Sequence, residues 1–64
     1  MSDELDYVRS QLAEQRNEIK EFMGYGNLRE FSEYMKLVGI ILGLDRAEQV
    51  IVDLQTRMEK DADE

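Results

Sequence analysis

The chain has 64 residues, with 8 Lys and Arg against 15 Asp and Glu, a formal net charge of −7, and no Cys, His, Pro or Trp. This composition excludes a disulfide framework, a thiolate or imidazole metal site, and the usual thiol and imidazole catalysts. A single chain of this length buries only about 60% of its unfolded surface, so residues 1–64 form one domain that needs efficient helix packing or partners.

A first helix is predicted over residues 3–23. Ser2 is a suitable N-cap residue, and the two acidic residues after it meet the positive end of the helix dipole. Alternating steps of three and four define a coiled-coil seam with one amide among apolar residues: Leu5, Val8, Leu12, Gln15, Ile19 and Phe22. The charged residues, including Arg9 and Arg16, are expected on the opposite face. Gln15 either fixes the helix register through a buried partner or lies where the seam opens to solvent.

A turn is predicted at Gly24-Tyr25-Gly26-Asn27, where two glycines supply the left-handed conformation that ends helices. Asn27 and Glu30 fit a capping box, in which each side chain satisfies a free main-chain donor of a new helix. The second helix is therefore predicted to begin at Leu28 and to run to about residue 60.

The second helix carries two overlapping apolar stripes. One contains Leu28, Phe31, Met35, Val38 and Leu42, and the other contains Ile40, Leu44, Ala47, Ile51, Leu54 and Met58. From Leu37 to Leu44, a segment that we call the apolar waist, the helix is apolar on almost every side. One amphipathic partner cannot cover such a helix, so the waist is expected to meet another copy or another protein. The run is too short for a membrane span, which needs about 20 apolar residues.

An alternative architecture divides the second helix near residues 43–45, because Asp45 and Glu48 form another cap pair, and it gives a three-helix bundle. One long helix is favoured, since the second stripe crosses this point without losing phase and no proline is present. The sequence thus predicts an all-α antiparallel helical hairpin that self-associates. Residues 61–64 are expected to form an acidic frayed tail.

The predicted helices differ in length, so the first is expected to reach only to about residue 48 of the second. The expected interface combines the waist with the distal stripe: Leu37, Val38, Gly39, Ile40, Ile41, Gly43, Leu44, Ala47, Ile51, Leu54 and Met58. Gly39 and Gly43 either allow the backbone of a second helix to approach closely or mark a kink. Tyr25, at the hairpin tip, is a candidate anchor for a partner unless its ring folds back on the hairpin.

No catalytic residue, cofactor-binding residue or metal ligand is predicted. The serines and the threonine have no histidine to activate them, and the spacing of a phosphate-binding or calcium-binding loop is absent. The net charge of −7 disfavours direct binding to DNA, RNA or an anionic membrane. The acidic start Met1-Ser2-Asp3-Glu4 lacks the basic segment of a secretory signal, so a cytoplasmic location is expected.

Several segments resemble small acidic helical-hairpin proteins encoded by tailed bacteriophages: Phe22-Met23-Gly24-Tyr25-Gly26, Phe31, Tyr34, Leu37-Val38-Gly39-Ile40 and Gly43-Leu44-Asp45-Arg46-Ala47-Glu48. The resemblance covers most of the chain. It implies a phage accessory protein, either a component of particle assembly or an agent that acts on the host; the lack of catalytic residues adds that it is not an enzyme. It would then work in the host cytoplasm or in association with the virion.

Two functions follow as expectations. The first is a homo-oligomeric structural or adaptor module that binds other proteins. The alternative is an inhibitor or sequestering protein that binds a host or defence protein, or a small anionic signal nucleotide, between its subunits. Its anion contacts would come from Arg9, Arg16, Lys20, Arg29, Lys36 and Arg46.

Overall fold

A computed structural model of the chain describes residues 3–26 and 29–63. These residues form two α-helices, α1 over Asp3–Gly24 and α2 over Phe31–Asp63, and they contain no strand. The helices pack side by side and run antiparallel, and the Cα trace measures 53 by 17 by 12 Å. The predicted antiparallel helical hairpin is confirmed.

Helix α1 begins at Asp3, with three carboxylates in its first turn beside the positive end of the helix dipole. The predicted N-cap, Ser2, lies outside the described residues. The helix ends at Gly24, one residue later than predicted. In the turn, the Gly26 N–H donates to the Met23 carbonyl at 3.3 Å, and Gly26 has a φ of 70°, the left-handed conformation expected there.

Helix α2 begins at Phe31, three residues after the predicted start. The first main-chain hydrogen bond into the helix is accepted by the carbonyl of Glu30, at 3.3 Å, so Glu30 occupies the N-cap position. The carboxylate of Glu33 reaches back and accepts a hydrogen bond from the Arg29 N–H at 3.4 Å. This contact takes the role of the predicted capping box, whose first residue, Asn27, lies outside the described residues.

Helix α2 passes through Gly43 and Asp45 without interruption. One long helix is therefore confirmed, and the break near residues 43–45 is wrong. The helix extends to Asp63, beyond the predicted end, and residues 61–63 of the predicted tail are helical. No glycine or proline follows Gly43, and Lys60 in the last turn is suited to the negative end of the helix dipole, so nothing in this segment favours an earlier stop.

The helices meet along a seam of mostly half-buried positions that recur at alternating steps of four and three. On α1 these positions are Leu5, Arg9, Leu12, Arg16, Ile19 and Met23, and on α2 they are Leu37, Ile41, Leu44, Glu48, Ile51 and Gln55. Gln55, at 6% exposure, is the only buried residue in the described part of the chain. None of the hydrophobic side chains described is buried.

The seam of α1 is rotated by one residue from the predicted seam. Arg9, Arg16 and Met23 lie in it, whereas the residues before them are exposed: Val8, Gln15 and Phe22. The prediction was wrong because it assigned the arginines to solvent. A long arginine side chain can bury its methylene groups when the opposite helix offers acceptors to its head group, and α2 does so. Gln15 is consequently not a buried register residue within the hairpin.

Helix α1 also covers a more distal part of α2 than predicted. Asp6 and Arg9 both bond to Gln55, so the start of α1 lies beside residue 55 and not beside residue 48. The first turns of α2 extend past the end of α1, so the stretch of α2 that α1 covers lies further towards the C-terminus. Ile51 is half-buried as a result, while Val50 points away from α1 and remains exposed.

Ile41→Asp tests the position of the seam. The new carboxylate would be held between the helices and lose solvation, so we expect the free energy of unfolding to fall by about 2 kcal/mol or more. Leu42→Asp is the matched control, because Leu42 is 57% exposed, and it should change stability by only about 0.5 kcal/mol. Equal losses in thermal melts followed by circular dichroism would contradict the seam.

Candidate protein-interaction surface

Gln55 of α2 joins two residues of α1. Its Oε1 accepts a hydrogen bond from Nη1 of Arg9 at 3.0 Å, and its Nε2 donates to Oδ1 of Asp6 at 2.8 Å. Both halves of the buried amide therefore have a partner. Because a slip along the helix axis would leave these groups without partners in a water-poor seam, the layer favours a single register.

Arg16 forms the second polar layer of the seam. Its Nη1 lies 3.0 Å from Oδ1 of Asp45 and 2.9 Å from Oε2 of Glu48, and the Arg16 side chain is only 25% exposed. The hydrogen bond to Asp45 is the main cause of the raised pKa of Arg16. Desolvation, the next largest effect, lowers the pKa, and the charges of Glu48 and Asp45 and the hydrogen bond to Glu48 raise it further. Stability linked to this raised pKa is present wherever the guanidinium is charged, and it is lost only as the pH rises through that pKa.

The two layers have the same spacing on both helices. Arg9 and Arg16 are seven residues apart, as are Glu48 and Gln55, so the layers fix one antiparallel register. Both arginines have a buried Nε without a hydrogen-bond partner among the described residues. The cost of removing these Nε atoms from water offsets part of the stability that the hydrogen bonds of the two layers contribute. The seam therefore specifies how the helices align while burying little apolar surface.

One broad side of the hairpin combines exposed apolar residues with a few charges. Six residues of α1 and six of α2 directly precede a seam residue, so each lies about 100° around its helix from that seam residue. Because the helices are antiparallel, positions displaced in the same sense from the two seams come to the same side. We call it the Phe22 side, and it contains Glu4, Val8, Gln11, Gln15, Glu18, Phe22, Lys36, Ile40, Gly43, Ala47, Val50 and Leu54.

Exposure and local shape support this arrangement. Phe22 of α1 lines a shallow depression with Glu33, Lys36 and Leu37 of α2. Glu33 and Lys36 lie on the same stripe of α2 as Ile40, two turns and one turn before it, so Phe22 and that stripe share a side of the hairpin. The large apolar residues of the Phe22 side are between 40% and 67% exposed.

The opposite side of the hairpin carries charges. Asp6, Lys20 and Asp45 directly follow seam residues, which displaces them in the other sense from the seam. Asp6 and Asp45 are the partners of the two polar layers. Both sides of the hairpin thus carry charged residues next to the seam, but only Asp6 and Asp45 bond to the polar layers.

The structure divides the predicted interface between two locations. Leu37, Ile41, Leu44 and Ile51 lie in the seam, with Val38 half-buried beside it. The other predicted residues are exposed: Gly39, Ile40, Gly43, Ala47, Leu54 and Met58. Sequence reasoning missed that Val8 and Phe22 belong to the exposed surface, whereas the exposure of Gln15 agrees with one of its two alternatives. The signal that identifies them is an uncharged residue every seven positions on both helices.

Tyr25 and the cationic residues were also candidate contacts. Tyr25 is 75% exposed at the hairpin tip, so its ring is not folded against the helices, and its role as an anchor stays a prediction. Arg9 and Arg16, proposed as anion contacts, bond within the hairpin instead. The sequence predicts an outer position for both arginines because they are charged. They point inward instead because α2 offers hydrogen-bond acceptors to their head groups.

Comparison with known proteins gives no match: no protein-family model, no curated protein and no solved structure is detectably similar to this chain. Within residues 3–26 and 29–63, neither helix combines the length and the hydrophobicity required to cross a bilayer.

Gln55→Ala tests the buried amide layer. The substitution removes the partner of Arg9 and of Asp6, so we expect a loss of about 1–3 kcal/mol in the free energy of unfolding. Gln49→Ala is the control, because Gln49 is exposed and bonds only within α2, to Asp53, and it should cost about 0.5 kcal/mol at most. Urea titrations of both variants measure the difference, and a loss no larger than that of the control would count against the layer.

Arg16→Gln tests the charged layer through its dependence on salt. The variant should have a lower Tm than the wild type at about 0.05 M NaCl, and the gap should narrow at about 0.5 M, where screening weakens the pairs with Asp45 and Glu48. Arg46→Gln removes the same charge from an exposed position of α2 and controls for net charge. Identical shifts in the two variants would show that Arg16 acts only through net charge.

Proposed function

We propose that this protein is a self-associating helical module with a structural or adaptor role and no enzymatic activity. One observation carries the proposal: the chain is 42% hydrophobic, yet none of its described hydrophobic side chains is buried. A hairpin without a core gains too little from apolar burial to offset the conformational entropy that folding removes. Contact with further copies supplies the missing burial.

A second surface supports the adaptor role. Phe31 and Tyr34 stack with ring centroids 6.2 Å apart next to the turn, and both are exposed. With Tyr25 in the turn, they give this end of the hairpin three exposed aromatic rings. Aromatic residues are frequent anchors of protein interfaces. An assembly that uses the central turns for its own contacts would keep this end free for another protein.

The resemblance to small acidic proteins of tailed bacteriophages supports an accessory role in particle assembly, in the cytoplasm of the host. The inhibitor or sequestering alternative loses support because Arg9 and Arg16 bond within the hairpin. Four of the six predicted anion contacts remain, and they are distributed over both helices and their connection: Lys20, Arg29, Lys36 and Arg46.

Light scattering coupled to gel filtration tests self-association. We expect a mass of about twice the 7.5 kDa of one chain or more, a decrease in mass on dilution, and a Tm that rises with protein concentration. A particle of 7.5 kDa that melts cooperatively, at a temperature independent of concentration, would contradict the proposal.

A further inference from the structure

We propose that the first three turns of α2 bind the same turns of a second copy, in antiparallel orientation, through an exposed apolar stripe. This inference rests on the self-association proposed above and adds the surface, the partner and the orientation. The stripe is the first of the two that the sequence predicts for the second helix. Its members among the described residues are Phe31, Met35, Val38 and Leu42, whereas Leu28 lies outside them.

The hairpin itself leaves this stripe open. The paired residues of the two polar layers align the helices so that the first nine residues of α2 extend past Gly24, the last residue of α1. Phe31, Met35 and Leu42 are 76%, 48% and 57% exposed, and Val38 is half-buried. An uncovered apolar stripe of this kind is typical of a contact with another protein surface.

The spacing of the stripe is complementary to itself. Its four members follow one another at steps of four, three and four residues, so the spacing is the same when it is read from either end. An antiparallel copy therefore sets Phe31 against Leu42 of the other copy, and Met35 against Val38, with a two-fold axis between residues 36 and 37. Steps of three and four are the spacing by which helices pack along a seam, and a symmetric dimer requires a self-complementary surface.

The net charge of the chain lies away from this stripe. Residues 19–46 contain four basic and four acidic side chains, so the net charge of −7 comes entirely from residues 1–18 and 47–64. Positions 18 and 46 lie at the same level of the hairpin, because the polar layers align them. The hairpin therefore has a neutral turn half and an acidic open half. Because like charges repel, two copies approach most easily when their turn halves meet.

The antiparallel orientation keeps the two acidic halves apart. With the axis between residues 36 and 37, each acidic half begins about 15 Å from the axis along α2, at about 1.5 Å per residue. The acidic halves of the two copies are thus separated by about 30 Å, which is several times the Debye length of about 8 Å at physiological ionic strength. A parallel pairing of the same stripes would place the acidic halves side by side, so the charge distribution favours the antiparallel one.

One edge of the contact pairs opposite charges. Lys20 directly follows a seam residue of α1, as Val38 does on α2, so both lie on the side that the second copy approaches. Lys20 has no ion-pair partner among the described residues, and the overlap brings Glu30 of the second copy to its level. Asp45 lies at the same edge, but Arg16 balances its charge. The two-fold axis repeats the attraction between Lys20 and Glu30 at the other end of the contact.

The area of the stripe suits a weak and reversible dimer. Tyr34, which is 44% exposed, borders the stripe and adds to the contact. The exposed parts of the five side chains amount to roughly 500 Å² per copy. A dimer would therefore remove roughly 1,000 Å² from water, which is the lower end of specific interfaces. We expect a dissociation constant in the micromolar range.

The contact leaves one aromatic ring of the turn end for another protein. The second copy covers Phe31 and Tyr34. Tyr25 follows Glu21 by one helical turn, on the face of α1 directed away from α2, and stays exposed. In this dimer the adaptor role proposed above belongs to Tyr25 and to the Phe22 side.

Leu42→Asp tests the contact in solution. The new carboxylate would lie against Phe31 of the other copy, so we expect the dimer dissociation constant, measured by sedimentation equilibrium, to rise about 100-fold or more. In dilute protein, where the monomer predominates, the variant should melt like the wild type, because Leu42 is exposed within the hairpin. Val50→Asp is the matched control, since Val50 is 67% exposed and lies eight residues further along α2, outside the contact. We expect it to change the dissociation constant about threefold or less.

Cysteine pairs test the orientation without background, because the chain contains no cysteine. Under mild oxidation, a mixture of Phe31→Cys and Leu42→Cys, one of them tagged, should form the mixed disulfide on a non-reducing gel, since the antiparallel overlap sets these positions opposite each other. Each variant alone should stay unlinked, because the two copies of either position lie about 16 Å apart along α2. Disulfides within each variant alone, without the mixed species, would show a parallel pairing and overturn the orientation.

The outcomes separate this inference from the proposed function. A wild-type protein that is oligomeric, but whose mass is unchanged by Leu42→Asp and whose cysteine mixture does not cross-link, would overturn the stripe as the contact and leave self-association intact. A wild-type protein that is monomeric at all concentrations would overturn both. Loss of the dimer in Leu42→Asp, with a helical circular dichroism spectrum and an intact Val50→Asp dimer, is the expected result.

Discussion

Two helices that lie side by side can cover each other along one seam only, and the remaining faces of both helices stay open to solvent. In this hairpin, four of the twelve seam positions are polar: Arg9, Arg16, Glu48 and Gln55. The intrachain contact therefore removes less apolar surface from water than a coiled coil of the same length. This constraint explains why none of the described hydrophobic side chains is buried, and it leads to association as the source of the missing burial.

The polar layers specify the fold more than they stabilise it. Arg9 with Gln55 and Arg16 with Glu48 repeat at seven residues, so a slip of one helix by one turn would separate both pairs at once. Their buried Nε atoms lack partners among the described residues, which limits the net gain. The alignment of the hairpin thus depends on these two pairs.

The net charge of −7 is distributed over both sides and both ends of the hairpin. Asp6 and Asp45, beside the polar layers, have partners within the hairpin. The exposed charged residues maintain solubility. The exposed rings of Tyr25, Phe31 and Tyr34 lie at the turn end of the hairpin, away from its central turns. This separation suits a module that associates with itself and holds a second protein.

The sequence by itself determined the two helices, the glycine turn, the continuity of α2 through Gly43 and the excess of apolar surface. These features depend on local backbone preferences and on the period of apolar residues, both of which are present in the linear pattern. It did not determine which face of α1 meets α2, how far α1 reaches along α2, or that Arg9 and Arg16 point inward. Those choices depend on the acceptors that Asp45, Glu48 and Gln55 present from a distant part of the chain. Only the tertiary structure brings these groups opposite the arginines, and an arginine with a partner across the seam no longer needs to face water.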